Sequence, residues 1–535
     1  MANNQPPTLQ LLKEIHMWLY AEVQTLGDIP RHYGRTTPDA PAVIDASGAI
    51  SFATLDGRSN RVANALSNLG ISAGARVAFL GKNSAQYFEI LFGVNKADAA
   101  LLPLNWRLAA PELTAILQDA SPEVLIADRE YEDLAIAVVA LSGQACRIIG
   151  YDSQEPETSE LAELMNASSA EDPALDVNPW STAVLMYTSG TTGKPKGVKL
   201  SHQGYLYLRL CEHLEPTFDY SPNDVMLTVM PLFHAMGVGL SLQAIYNGAA
   251  IAVYTMPDPS TLMTLIKRDR PTLLPLVPSV IQMLLDHPDA ASADYSSVRL
   301  VVYAGSPITP HLLQRAIDEM KCDFLQFYGG TETSAGVTFL RPEDHKLGGE
   351  GKLKSCGSPL PLVEFKIADA LGHAVPDGEV GEFLIRSPSL TTGYFNQPEV
   401  TEAAFESGWY HSGDAGYRDT DGYLYLVDRV KDMIISGGEN IYSLEVEGAL
   451  QKMPGVQVCA VVGAPDEKWG ERVVAFVIPD ADASLSEEDV MAHCRTLIAG
   501  YKVPKQVRFV NSLPMTASGK IMKRSLAAEF EPARP

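Results

Sequence analysis

A chain of 535 residues exceeds what one hydrophobic core ordinarily supports, so two or more domains are expected. Its composition is ordinary, 46% apolar and 20% charged, but a net charge of −24 excludes nucleic acid as a general partner, because a phosphate backbone would be repelled over most of the surface. Any anion must therefore be met by a local, built site.

At the N-terminus Leu11, Leu12, Ile15, Leu19 and Val23 recur at helical spacing, interrupted by Lys13, Glu14 and His16. That is an amphipathic helix and not a signal peptide. It is expected to dock on its own domain; a membrane surface or a homodimer contact is its other use. No run approaches the roughly 20 apolar residues of a bilayer span. Residues 59–69 predict a helix that stops at Gly70, and Arg76–Leu80 a buried strand. Further strand-like runs fall at 99–102, 124–127, 225–229, 249–254, 272–277, 300–304 and 324–328. Strands separated by helical stretches imply parallel α/β layers with ligands at the strands' carboxyl ends. Gly70-Ile71-Ser72-Ala73-Gly74 fits the G-x-S-x-G hydrolase pattern, yet a nucleophile elbow needs a strand before it and a helix after it. Here the order is reversed, so Ser72 reads as a turn residue. Residues 152–178, acidic and Ser/Pro-containing, read as a solvated connection.

Cys146, Cys211, Cys322, Cys356, Cys459 and Cys494 show no C-x-x-C spacing, which suits neither a disulfide framework nor a zinc site. Reduced thiols in a cytoplasm are the simplest account.

Thr182–Met186 reads as a strand that opens into Tyr187-Thr188-Ser189-Gly190-Thr191-Thr192-Gly193-Lys194-Pro195-Lys196-Gly197. Three glycines let backbone N–H groups turn toward an anion, while four hydroxyls and two lysines add donors and charge. This is a phosphate cradle. It is not the common P-loop, because two residues separate Gly190 from Gly193 and a proline follows Lys194.

Pro231-Leu232-Phe233-His234-Ala235-Met236-Gly237 follows. Tyr303-Ala304-Gly305-Ser306 then ends a strand in small residues, which leave room for a flat ring, and Tyr328-Gly329-Gly330-Thr331-Glu332 ends another in the same manner. Residues 409–414 read Trp-Tyr-His-Ser-Gly-Asp. Asp419–Arg429 predicts a hairpin turning at Asp421-Gly422. Gly437 and Gly438 allow close backbone approach, and the locally basic C-terminal segment contains Pro514-Met515-Thr516-Ala517-Ser518-Gly519-Lys520-Ile521.

Taken in order from about residue 40 to residue 525, these stretches resemble the acyl-adenylate-forming enzymes: acyl-CoA synthetases, peptide-synthetase adenylation domains and beetle luciferases. The resemblance implies a large N-terminal domain of layered α/β subdomains with a small β region, residues 1–428, and a small mobile α+β C-terminal domain, residues 429–535. It implies that Thr188, Ser189, Gly190, Thr191, Thr192, Gly193 and Lys194 hold the ATP polyphosphate. Ala304, Gly305, Ser306, Tyr328, Gly329 and Thr331 would border the nucleotide, and Glu332, with Thr188, would hold Mg²⁺. A carboxylate at a phosphate site makes physical sense only with a cation between them. Asp414 would bind the ribose, as an acidic residue does in dinucleotide sites, with Arg429 beside it; Ser412 replaces the family's threonine and keeps the hydroxyl. His234, Gly237, Gly305, Gly330 and Gly336 would line the acyl pocket. Gly437, Gly438 and Trp469 would line a CoA channel, Lys431 would be the hinge, and Lys520 the catalytic lysine, joined in catalysis by Thr188 and Glu332.

The function implied is an ATP- and Mg²⁺-dependent carboxylate–CoA ligase. Rival readings are an adenylating enzyme with another acceptor (a carrier protein, or oxygen), a non-catalytic nucleotide or acyl sensor on the same fold, and a hydrolase resting on Ser72 alone. No carrier-domain serine motif follows residue 525, which favours free CoA. The small residues Ala304, Gly329, Gly330 and Gly336 suggest a roomy apolar pocket for a medium- or long-chain fatty acid or a substituted aryl acid. No cationic residue falls in the motifs assigned to that pocket, which disfavours diacids.

Overall fold

The computed structural model describes residues 21–188, 195–306, 308–345, 352–429, 432–436, 439–480, 482–515 and 521–530. The chain divides into two compact units, one of residues 1–364 and 386–406, the other of residues 365–385 and 407–535. Packing thus joins 365–385 and 407–428 to the C-terminal unit. The domain division expected from the sequence lies at 428/429.

Short runs of branched apolar residues make strands that are buried on both faces, the pattern that only a sheet covered on each side can satisfy. In the first unit they assemble into two largely parallel sheets. One has the strand order 147–151, 124–128, 76–80, 100–104, 182–188, 196–201. The other runs 358–359, 335–340, 323–330, 300–303, 273–276, 225–228, 250–253, 41–45, 48–51. Arg76–Leu80 forms as expected, flanked in parallel register by 100–104 on one side and 124–128 on the other. Val225–Thr228 is flanked in the same way by 250–253 and 273–276. At both strands the chain's connections leave in opposite directions, which opens a crevice at the carboxyl end. The turns that follow them are residues 81–84 and 229–234.

The remaining expected strands form within a residue or two of their predicted ends, and Ser72 sits between the helix Phe52–Asn68 and the strand at 76, the wrong order for an elbow. One expectation is corrected: residues 152–178 are not a bare connection. They contain the helix Glu160–Asn166, capped by the Ser159 hydroxyl and buried through Leu161 and Ala162. Arg61, Asn60 and Asn64 hold the carbonyls of Met165, Ser168, Ser169, Ala170 and Glu171 against the helix Phe52–Asn68. The predicted hairpin at 419–429 also starts earlier, with Trp409–Arg418 pairing to Leu424–Arg429 around Gly422 at φ +89°.

The second unit is α+β. Val456–Asp466 and Gly470–Pro479 form a long antiparallel pair, joined in parallel by Gln506–Phe509. The helices Ser443–Leu450 and Glu487–Leu497 cover one face through Val446, Leu450, Val490 and Cys494. Among the described residues no helix is long and apolar enough to cross a membrane.

Candidate active site

Two paired strands flank the segment read as a phosphate cradle. Thr182–Thr188 pairs antiparallel with Lys196–Ser201, and Thr188 lies opposite Lys196 at the last described rung. Ser189, Gly190, Thr191, Thr192, Gly193 and Lys194 lie outside the described residues. One bond that fixes the hairpin lies in its described part: the Tyr187 hydroxyl donates to the Asp119 carboxylate. Burial, with Asp119 second, pushes that phenol far up, so it stays a donor.

Glu332 comes to the same hairpin from the other sheet. The strand Asp323–Gly330 runs antiparallel to Ala335–Leu340 with a register shift at Tyr328/Gly329, and the chain turns through Thr331–Thr333 with Ser334 at φ +59°. A bulge of this kind re-aims the side chains that follow. The Tyr394 hydroxyl donates to Glu332 Oε1 at 3.1 Å, while Lys196 Nζ lies 5.2 Å from the centre of the Tyr394 ring. Residues 391–395 are bonded along the 196–201 strand and to the Glu332 carbonyl, through Phe395 N to Gly197 O and Thr391 N to Glu332 O, both 2.7 Å. Lys196, Tyr394 and Glu332 therefore form one chain of contacts from the cradle's return strand to the carboxylate. Tyr394 carried no signal in the sequence. Among the described residues no group of three or more His, Cys, Asp or Glu is gathered to hold a metal. Glu332 thus fits a Mg²⁺ that takes one protein carboxylate and fills its shell with phosphate oxygens and water.

Ala304–Ser306 follows Leu300–Tyr303, whose in-register neighbour is Asp323–Gln326 of the strand that carries Tyr328 and Gly329. The two small-residue segments therefore sit side by side at the carboxyl edge. Gly305 has φ +89°, and a Cβ there would meet only Val277, at 3.4 Å; at Gly330 only Glu332 lies within contact range. Both glycines border open space. Gly336 and Gly237 do not: a Cβ would strike the Phe327 ring at 2.5 Å in one case and the Pro231 carbonyl at 2.2 Å in the other. Their small size serves close packing. His234 stands at the N-cap of Ala235–Tyr246, half-buried, its ring 4.8 Å from that of Phe233. This segment is held by Asn83, from the turn after the other sheet's reversal strand. Asn83 donates to the carbonyls of Met230 (2.9 Å) and Tyr254 (3.1 Å) and accepts from Leu232 N (3.1 Å).

In the second unit Asp414 and Arg429 are paired residues of the 409–418/424–429 hairpin, with Arg429 Nε 3.4 Å from Asp414 Oδ1. The preceding turn is oriented by Glu382, which accepts from Gly413 N at 3.0 Å and meets His411 Nδ1 at 2.9 Å. A carboxylate beside a guanidinium suits a pair of neighbouring hydroxyls, which need both an acceptor and a donor. Gly437 and Gly438 lie outside the described residues, as do Lys431 and Lys520. Ser436, however, pairs with both Glu439 and Gly470, the latter next in the chain to half-exposed Trp469.

Lys523, in the locally basic C-terminal segment, is turned inward. It reaches Glu447 at 2.8 Å and Ser443 Oγ at 2.5 Å, and Ser443 in turn donates to Asp428, which is 1% exposed. Burial raises the Glu447 pKa, and Lys523 opposes that rise. Lys523→Ala, which strands a buried carboxylate, is expected to destabilise the second unit by about 3 kcal/mol in urea unfolding.

Comparison with known proteins places these features in a family. The AMP-binding enzyme family matches residues 31–395, and its C-terminal domain matches residues 445–520. A feruloyl-CoA synthase from an Amycolatopsis species is 38% identical over 508 residues, covering 95% of this chain and 99% of its own. ScoC of Streptomyces coeruleorubidus, a fatty acid–[acyl-carrier-protein] ligase, is 35% identical over 513 residues, covering 96% and 97%. The structure of ATP-bound MatB from Rhodopseudomonas palustris matches with a TM-score of 0.86 at 28% identity, covering 95% and 99%. With the cradle hairpin, the Glu332 turn and the Asp414–Arg429 pair in family order, the chain belongs to the AMP-binding enzymes, in the acyl-CoA synthetase branch of the adenylate-forming superfamily.

Proposed function

We propose that the chain is an ATP-dependent carboxylate–CoA ligase that forms acyl-CoA, AMP and pyrophosphate through an acyl-adenylate. The observation that carries this reading is the link from Lys196 through Tyr394 to Glu332, which sets a lone carboxylate against the hairpin of a phosphate cradle. In the first half-reaction a substrate carboxylate oxygen attacks the α-phosphorus of ATP and pyrophosphate leaves. Residues 188–194 hold the polyphosphate, and Asp414 and Arg429 the ribose. Glu332, with Thr188, would hold Mg²⁺, which neutralises phosphate charge. Lys520 offsets the charge shared by carboxylate and phosphate. Positioning and electrostatics supply such catalysis without a protein nucleophile. In the second half-reaction the CoA thiol attacks the acyl carbonyl and AMP leaves. Residues 429–535 turn about Lys431 between the halves, withdrawing Lys520 and advancing the Gly437–Gly438 loop. A cytoplasmic setting, where ATP and CoA are at hand, belongs to the same reading.

The acyl group is a medium- or long-chain fatty acid or an aryl acid, a range supported by a feruloyl-CoA synthase and a fatty acid ligase among the relatives. The relative that names an acyl-carrier protein supports a second reading, transfer to carrier-bound phosphopantetheine. A screen of carboxylic acids graded by length and ring content, run with ATP and either CoA or holo-carrier protein, tests both. Acid-dependent pyrophosphate release with thioester formed on free CoA is the expected result. Thioester on the carrier alone would replace the first reading by the second, and no pyrophosphate with any acid would overturn both.

A further inference from the structure

Two helices behind the His234 segment enclose polar groups that the catalytic reading leaves unused. His202–Leu214 and Ala235–Tyr246 touch where Arg209, 2% exposed, donates to the Gly239 carbonyl at 3.0 Å, and again where the His213 and Tyr246 rings lie 5.9 Å apart. Contacts that advance together along both chains mean that the helices run side by side in the same direction. Tyr205 stands one turn before Arg209, and Gln243 one turn after Gly239, so both belong to the facing stripes. Each is only 1% exposed. The Tyr205 hydroxyl and both amide atoms of Gln243 nevertheless have no hydrogen-bond partner among the described residues. Interiors seldom tolerate this, because an unsatisfied buried amide or hydroxyl costs about 1–3 kcal/mol.

The seam begins at the site. Tyr87 donates to the Leu232 carbonyl at 3.0 Å, two residues before His234, and burial, with Tyr205 second, pushes the Tyr87 phenol up. At 1.5 Å per residue, Gly239 lies about 7 Å and Gln243 about 13 Å beyond His234 along the helix axis. The resulting stripe is apolar for the most part, with hydrogen-bonding groups set at defined depths. Arg209 also puts a cation on this stripe, which the motifs flanking the pocket lacked.

We propose that this seam continues the acyl pocket, and that its unsatisfied groups, Tyr205 near the mouth and Gln243 about 13 Å along the helix at the far end, recognise an uncharged oxygen, a hydroxyl or ether, carried on the acyl group. The inference rests on the ligase reading above and narrows it to oxygen-substituted acids. A site built to hydrogen-bond a substrate oxygen rejects the analogue lacking it, since its own groups are then left unpaired.

The test compares kcat/KM for para-hydroxycinnamic against cinnamic acid, and omega-hydroxyoctanoic against octanoic acid, with octanedioic acid as a charged probe. The wild type is expected to favour the hydroxylated member of at least one pair by about tenfold or more. Gln243→Leu and Tyr205→Phe should each pull that ratio toward one by raising KM for the hydroxylated acid while sparing its partner. Tyr205→Phe deletes a single oxygen, so it decides the matter if Gln243→Leu does not fold. Ratios near one in the wild type, ratios that survive both variants, or a preference for the diacid would overturn the inference and leave the ligase reading standing. Absence of ATP- and CoA-dependent turnover with every acid would overturn the ligase reading, and this one with it.

Discussion

Lys520→Ala is expected to abolish adenylate formation, by about 10³-fold in acid-dependent ATP–pyrophosphate exchange, while thioester formation from supplied acyl-adenylate falls by no more than a few-fold. The magnitude is that of removing one pre-placed charged donor from a transition state, about 4 kcal/mol. The asymmetry follows from the chemistry of the two halves. Negative charge accumulates between carboxylate and α-phosphate only in the first; in the second a thiol attacks a carbonyl that is already activated. Position 520 lies outside the described residues, but the base that carries it does not. Met515 bridges to Ile521, Met522 N donates to the Pro514 carbonyl at 2.8 Å, and Lys523 is tied to Glu447. The described residues on either side of position 520 are thus tied to each other and, through Lys523, to Glu447. Equal loss in both half-reactions would remove Lys520 from the proposed role, and unaltered exchange would remove the domain-alternation scheme with it.

How far the sequence could be read depended on where the relevant information lay. Strands such as Arg76–Leu80 and Val124–Asp128 announce themselves because burial on both faces demands an unbroken apolar run. Lys196–Ser201 did not, since it carries two lysines and gains its place by pairing back on 182–188. Glu160–Asn166 hid in an acidic stretch because only Leu161 and Ala162 face inward. The motif residues of the site were legible as local strings, yet their supports were not. Tyr394, Asn83 and Glu382 act on residues 29 to 171 positions away, a relation that spacing cannot encode. Lys523, among the scattered basic residues of the C-terminal segment, is turned by the fold inward onto Glu447, which no local pattern shows. One reading failed for a physical reason. Gly336 suggests room in the sequence, but the register shift at Tyr328/Gly329 brings the Phe327 ring against it.

Glu332→Gln is the second substitution with a large expected effect. It keeps the size of the side chain and an oxygen that can accept from Tyr394, and it removes only the charge. If that charge exists to hold a cation against the polyphosphate, kcat/KM for ATP should fall by about 10²-fold or more, and the Mg²⁺ concentration giving half-maximal rate should rise. Thermal stability should change little. The half-buried carboxylate accepts from the Tyr394 hydroxyl, and the link that ties this turn to Thr391 runs through the Glu332 backbone carbonyl. Tyr394→Phe separates orientation from charge. It leaves the carboxylate ionised but unsteered, at the loss of one hydrogen bond to a charged acceptor, so about a tenfold fall is expected. Excess Mg²⁺ should recover much of that loss, because a misaimed ligand can be compensated by mass action, whereas the same excess should do little for an amide that binds hard cations weakly. A Glu332→Gln enzyme with wild-type turnover and an unshifted Mg²⁺ titration would show that the carboxylate only buttresses the 331–334 turn, and the contact chain from Lys196 would then be structural.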